Sequence, residues 1–323
     1  MHLAISAALA FASSICSLVP AAALQSAPDC RRDCPPARPP SATGVVLIAH
    51  GGGPDWNAQV ERMAREVRHP GPVAVSFLMG PGAKTAPFQK VVADLVTRGA
   101  QEVLVVPVLV SSHSGHYDQL RWLAGEIDSI DAVMTHHLEM GGIARSDAAV
   151  PIRLLRAMDD APELAAVLAD RARALVDNPA GRALLLLGHG PESAEEYAYW
   201  MENLRRVADT VRERTGFSSV MVELVRDDAA EGVRKEAVRR MRELVLLQRD
   251  ATGKDVAVVP VLVASGSMTR DKLPRDLAGL PIVYRGDALL ADTELARWVE
   301  ARIRQARSSD VSSADRAFRS TPH

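Results

Sequence analysis

Aromatic residues make up only 4% of this 323-residue chain, which excludes the broad stacking platforms that hold unpaired bases. Basic residues are not in excess either. With 38 Lys and Arg against 40 Asp and Glu, the net charge of −2 argues against a nucleic-acid partner, which needs a basic face. Beyond the N-terminus no apolar run is long enough to span a bilayer. A Gly-Lys-Ser/Thr sequence is missing after the Gly-rich turn at 51–53, and G-x-G-x-x-G is absent, so nucleotide binding is disfavoured. Cysteine is confined to Cys16, Cys30 and Cys34. In an oxidising compartment Cys30 and Cys34 would close a small disulfide loop, whereas two thiols alone make a poor metal site.

What is present is ordinary for a soluble protein, with 47% hydrophobic and 24% charged residues. The length suits two modest domains or one large one. Leu3 to Leu18 is apolar and rich in small residues, and Ala21-Ala22-Ala23 offers a cleavage site, so residues 1–23 read as a secretory signal peptide. Ile15 stands before Cys16 where a lipoprotein signal needs a small residue, so a soluble exported protein, periplasmic or extracellular, with no stable membrane insertion after cleavage, is favoured over an uncleaved membrane anchor. Residues 24–43 are a Pro- and Ala-rich linker with little to bury. Residues 307–323, rich in Ser, Arg and Asp, read as a disordered tail.

Between linker and tail one stretch is written twice. Glu102 to Val110 is E-V-L-V-V-P-V-L-V, and Asp255 to Val263 is D-V-A-V-V-P-V-L-V. Runs that are apolar on both faces suit central strands of a parallel sheet covered by helices on each side. The surrounding elements recur in order. Val45–Ala49 followed by His50-Gly51-Gly52-Gly53 returns as Ala183–Leu187 followed by Gly188-His189-Gly190-Pro191. The pattern predicts an α/β protein of two tandem, doubly wound parallel-sheet domains related by internal duplication, at 44–178 and 179–306.

Ligands of such sheets bind outside the carboxyl ends of the strands. In the first half these ends carry His50 and the run Ser111-Ser112-His113-Ser114-Gly115-His116; Ser112 or Ser114 would cap the following helix. The second half has Gly266-Ser267-Met268-Thr269 in place of that run, which leaves His189 to a structural role in its turn. Neutral imidazole binds late first-row metals and takes up a proton near pH 7. His50, His113 and His116 are therefore the candidate metal ligands and catalytic groups. Asp131 to Val150 reads as an insertion containing His136 and His137, either a lid over the crevice or a surface loop.

A strand ending in His-Gly, a V-V-P strand leading into a histidine loop, and a βα duplication together resemble the sirohydrochlorin chelatases of the class II chelatase group, over roughly Gly44 to Arg304. The resemblance implies insertion of a divalent metal substrate (Co²⁺ or Fe²⁺, with Ni²⁺ a further candidate) into sirohydrochlorin or a related tetrapyrrole, as in cobalamin and sirohaem synthesis. It implies that His50, with His113 or His116, binds the metal and helps deprotonate the macrocycle. Substrate carboxylates would be received by helix N-termini and by Arg121 or Lys84. Where the family often has a glutamate at the end of the second strand, this chain has Met79. An exported, non-catalytic binder of metal or tetrapyrrole is the alternative.

Overall fold

The computed structural model describes residues 42–291 and 293–319. The signal segment and nearly all of the linker, with Cys30 and Cys34, lie outside the described residues. The chain begins with β1 (Thr43–Ala49), buried throughout, and then α1 (Pro54–Glu66), β2 (Val73–Phe77), the short α2 (Gly80–Thr85), α3 (Phe88–Thr97) and β3 (Glu102–Val108). Pro81 in the first turn of α2 supplies the preset φ that starts it. After β3 come α4 (Gly115–Leu123), α5 (Ala132–Gly141), β4 (Ile152–Leu154) and α6 (Pro162–Leu175). The strands pair in parallel in the order β2-β1-β3-β4.

The second half repeats this with β5 (Ala183–Gly188), α7 (Ala194–Thr215), β6 (Ser219–Leu224), α8 (Glu231–Thr252), β7 (Val256–Val261), α9 (Leu273–Asp276), β8 (Ile282–Tyr284) and α10 (Glu294–Arg319). Its parallel sheet has the matching order β6-β5-β7-β8. Both V-V-P-V strands are thus internal, as their two-faced apolar pattern demands. The backbone of α10 stays helical well past 307, where composition predicted a disordered tail. From Glu294 to Thr321 no Gly or Pro interrupts the run, so nothing local ends it.

Proline in an internal strand needs a reason, because it cannot donate to a ladder. Val103 N–H donates to Pro151 O and Leu155 N–H to Val105 O, so the odd-numbered residues of β3 turn their polar groups toward β4. Pro107 falls in that register, but β4 pairs only with Val103–Val105. The missing N–H therefore faces a side where the neighbour has already ended. Pro260 repeats the device, since β8 pairs only with Val256–Val258.

Side chains alternate across each strand. Val45 and Leu47 of β1 enter a core shared with Leu184 and Leu186 of β5, while Val46 and Ile48 face an outer layer with Phe88 and Leu120. The shared core is filled by α1, α6, α7 and α10. Its last helices are exchanged: α6 of the first half lies against β7, and α10 of the second lies against β3 and α1. The described residues accordingly form one compact unit that holds two sheets.

Candidate metal centre and cleft

β1 and β3 are neighbours, so the loops that leave their carboxyl ends converge. His50 is the first residue after β1. The next residue, Gly51, has φ +93°, and a Cβ there would stand 2.4 Å from Met79 O. Only glycine fits, and the turn is locked by Met79 N–H donating to His50 O at 2.8 Å. The Nδ1 of His50 lies 2.7 Å from Gly51 O, which makes it the protonated nitrogen and leaves Nε2 as the lone pair.

The loop after β3 is held by Asp159, whose carboxylate accepts from Ser112 N–H at 2.7 Å and from the Ser112 hydroxyl at 2.8 Å. Ser114, not Ser112, caps α4 by accepting from Tyr117 N–H. His116 sits in the first turn of α4. Its Nδ1 meets Gln119 Oε1 at 2.8 Å, and the fully buried Gln119 donates in turn to Met134 O of α5. Gln119 orients the imidazole and again leaves Nε2 bare. Sequence reading passed it over, although an i,i+3 partner on a helix is a detectable signal.

These elements bring His50 and His116 together, with ring centroids 4.6 Å apart at 75°. Burial lowers the pKa of both. In His116 it combines with the neighbouring His50 to bring the value down to about 4. Both rings are therefore neutral near pH 7, the form that binds metal. His113 is not brought to them. It stacks on Tyr199 of α7 at 4.1 Å, and its carbonyl accepts from Trp200 Nε1 at 2.7 Å. In the insertion His136 is exposed beside Glu139, while His137 lies 6.3 Å from His116 with a buried Nδ1 that has no hydrogen-bond partner.

His189 repeats the His50 turn, with Nδ1 2.9 Å from Gly190 O and Arg226 N–H donating to His189 O. Thr269 stands where His116 would be, and its hydroxyl bonds to Gly266. The expectation that the second crevice offers His189 alone needs correction. Nε2 of His189 lies 3.3 Å from Asp228 Oδ2, and Asp227 is close enough to complete a possible metal-holding group. Asp227 is already committed, since one oxygen takes Arg234 and the other Lys272. The acids come from the loop after β6 and reach His189 only through the sheet, so no local spacing announces them.

His50, His116 and His189 all line one cleft of ≈ 1060 Å³ between the two halves, together with Met134 of α5. The insertion is thus a wall of the cleft rather than an incidental loop. Neither Arg121 nor Lys84 lines it: Arg121 pairs with Asp118 and Glu126 on the surface of α4, and Lys84 sits on α2. Among the described residues, the arginine on the cleft wall is Arg270.

Comparison with known families bears on the same elements. Residues 44–175 match the family described as CbiX. The matched segment lies within the first half. It carries β1 to α6 and both converging histidines, and this supports the resemblance to the class II chelatase group drawn from the motifs. No curated protein matches the chain. Among solved structures, the chain is similar to SirB from Bacillus subtilis with Fe³⁺, at 16% identity and TM-score 0.53, covering 81% of this chain and 94% of that one. It is similar to the sirohydrochlorin chelatase SirB from Bacillus subtilis subspecies spizizenii in complex with cobalt, at 14% identity and TM-score 0.54, with the same coverage of 81% and 94%. DR2241 from Deinococcus radiodurans, a multi-domain protein with structural similarity to chelatases, matches at 21% identity and TM-score 0.52 over 80% of this chain and 54% of its own. These likenesses show a shared fold: two parallel four-stranded sheets flanked by helices.

Proposed function

We propose that the chain is a chelatase that inserts a divalent metal, Co²⁺ or Fe²⁺, into sirohydrochlorin or a related tetrapyrrole. The observation that carries this reading is the buried, neutral His50–His116 pair facing a cleft of ≈ 1060 Å³, large enough for a macrocycle. The metal is a substrate, so it must be held and then released. Two imidazoles hold it through Nε2 and leave its remaining positions open to pyrrole nitrogens. As the ion moves to the macrocycle, two pyrrolic N–H bonds break, and the vacated imidazoles are placed to relay those protons to solvent. The CbiX match of 44–175 supports this reading, as does the cobalt held by the similarly folded SirB.

The second reading, a binder without turnover, is favoured by Met79 at a strand end where the family often has a carboxylate. A chelatase assay with purified protein, Co²⁺ or Fe²⁺ and sirohydrochlorin or mesoporphyrin separates the two. Metal-dependent loss of the free-base spectrum at a rate proportional to protein is expected. Stoichiometric binding with no turnover would establish the binder instead.

Export is proposed from the segment Leu3–Leu18 and the site at Ala21-Ala22-Ala23. It would place the reaction outside the cytoplasm. Mass spectrometry of the native protein should find a mature N-terminus near Leu24, and an intact Met1 on soluble cytoplasmic protein would reject export.

A further inference from the structure

We propose that the second half carries a metal site of its own, in which His189, Asp228 and Asp227 hold a second divalent cation such as Co²⁺ or Zn²⁺. It goes beyond the chelatase reading and does not need it, because an ion can be held there whether or not a macrocycle is metallated. The turn after β5 fixes the imidazole. Nδ1 of His189 lies 2.9 Å from Gly190 O and carries the proton there, so Nε2 presents a lone pair. That lone pair faces Asp228 Oδ2 at 3.3 Å. A carboxylate oxygen can only accept, so the neutral imidazole and Asp228 meet as two acceptors with nothing to share. A cation between them resolves the conflict, and the spacing fits one. With metal bonds of about 2.0–2.2 Å to imidazole nitrogen and carboxylate oxygen, a separation of 3.3 Å subtends about 105° at the metal, close to the tetrahedral angle.

Asp227 supplies the third ligand. One donor atom from each of the three residues lies within 4.8 Å of the other two. The Asp227 carboxylate is buried and held by Arg234 at 2.9 Å and by Lys272, which fix its position. A carboxylate accepts at about four sites, so these two contacts leave lone pairs for a metal. The same Arg and Lys oppose a further positive charge, and the Asp228 side chain is 63% exposed, so this site is the weaker of the two. His189 and Asp228 line the same cleft as His50 and His116. Burial is the main cause of the lowered pKa of His50 and His116, but the charge of Asp228 reaches both rings and opposes it. An ion seated on Asp228 reverses that pull, so each filled site should weaken the other.

The experiment is a calorimetric titration of Co²⁺ into the full chain, with no tetrapyrrole present. Two classes of site are expected, the second on the order of 100-fold weaker than the first. His189→Ala and Asp228→Asn should each abolish the weak class and keep the tight one. His50→Ala should do the reverse, leaving one weak class that now binds more tightly because no ion stands opposite. Asp228→Asn changes an exposed side chain, so it tests the site even if His189→Ala disturbs the turn; far-ultraviolet circular dichroism checks that each variant is folded. A weak class that survives both His189→Ala and Asp228→Asn belongs to other surface groups and overturns the inference. So does a single class in the unaltered chain, which would mean that a proton rather than a metal joins His189 to Asp228. Either result leaves the chelatase reading standing, whereas loss of the tight class from the unaltered chain would sink that reading without touching this one.

Discussion

His50→Ala is expected to weaken Co²⁺ binding by at least ~100-fold in a calorimetric titration, and His116→Ala should do the same. Loss of a residue that merely orients a metal ligand costs roughly 10–100-fold, so loss of a ligand should cost no less. His113→Ala should stay within about 3-fold of wild type, because that ring is stacked on Tyr199 away from the pair. His189→Ala should also retain the tight site, since it removes a turn histidine bound to Asp228. The pH dependence follows from the same burial. Protons compete with the metal only when they can occupy the imidazoles, and the pKa of His116 lies near 4 rather than 6.5, with His50 also lowered. Affinity should therefore hold as pH falls through 6.5 and be lost on approaching 4. Tight binding that survives His50→Ala but not His189→Ala would move the metal centre to the other half; a midpoint at 6.5 would mean the rings are solvated.

A fragment of residues 42–178, which ends after the CbiX match, is expected not to fold by itself, even though it holds a complete sheet and both histidines. The reason is the exchange of helices. In the fragment α6 loses β7 and α7, so Leu164, Val167 and Leu168, each 0% exposed in the whole chain, lose part of their cover. The first sheet also loses α10, with Leu295, Trp298 and Val299 buried in the shared core. A large apolar side chain is worth about 1.5–3 kcal/mol when fully buried. Several such losses match the whole stability of a domain, about 5–15 kcal/mol. Urea titration followed by circular dichroism should show a cooperative transition for the full chain and none for the fragment. Mixing the fragment with residues 179–323 should restore it. A sharp transition from the fragment alone would show that each half closes its own core.

The boundaries at 178 and 179 thus separate two sheets by sequence, and the duplication made them visible. Continuous apolar runs located β1, β3, β5 and β7 to within a few residues, and the repeated His-Gly turns announced the duplication. Such signals are local: a strand covered on both sides must be apolar on both sides, and a turn that admits only glycine must show glycine. The sequence by itself therefore determined the fold class, the duplication and the strand end where His50 sits. Whether His113 or His116 joins His50 was decided by the tertiary structure, because both lie in one short loop and only the cap at Ser114 and the buried Gln119 turn one ring inward. The partner of His189 and the exchange of α6 with α10 were also left to tertiary structure. Each depends on side chains far apart in the chain, which no spacing along the sequence brings together until the two sheets share a core.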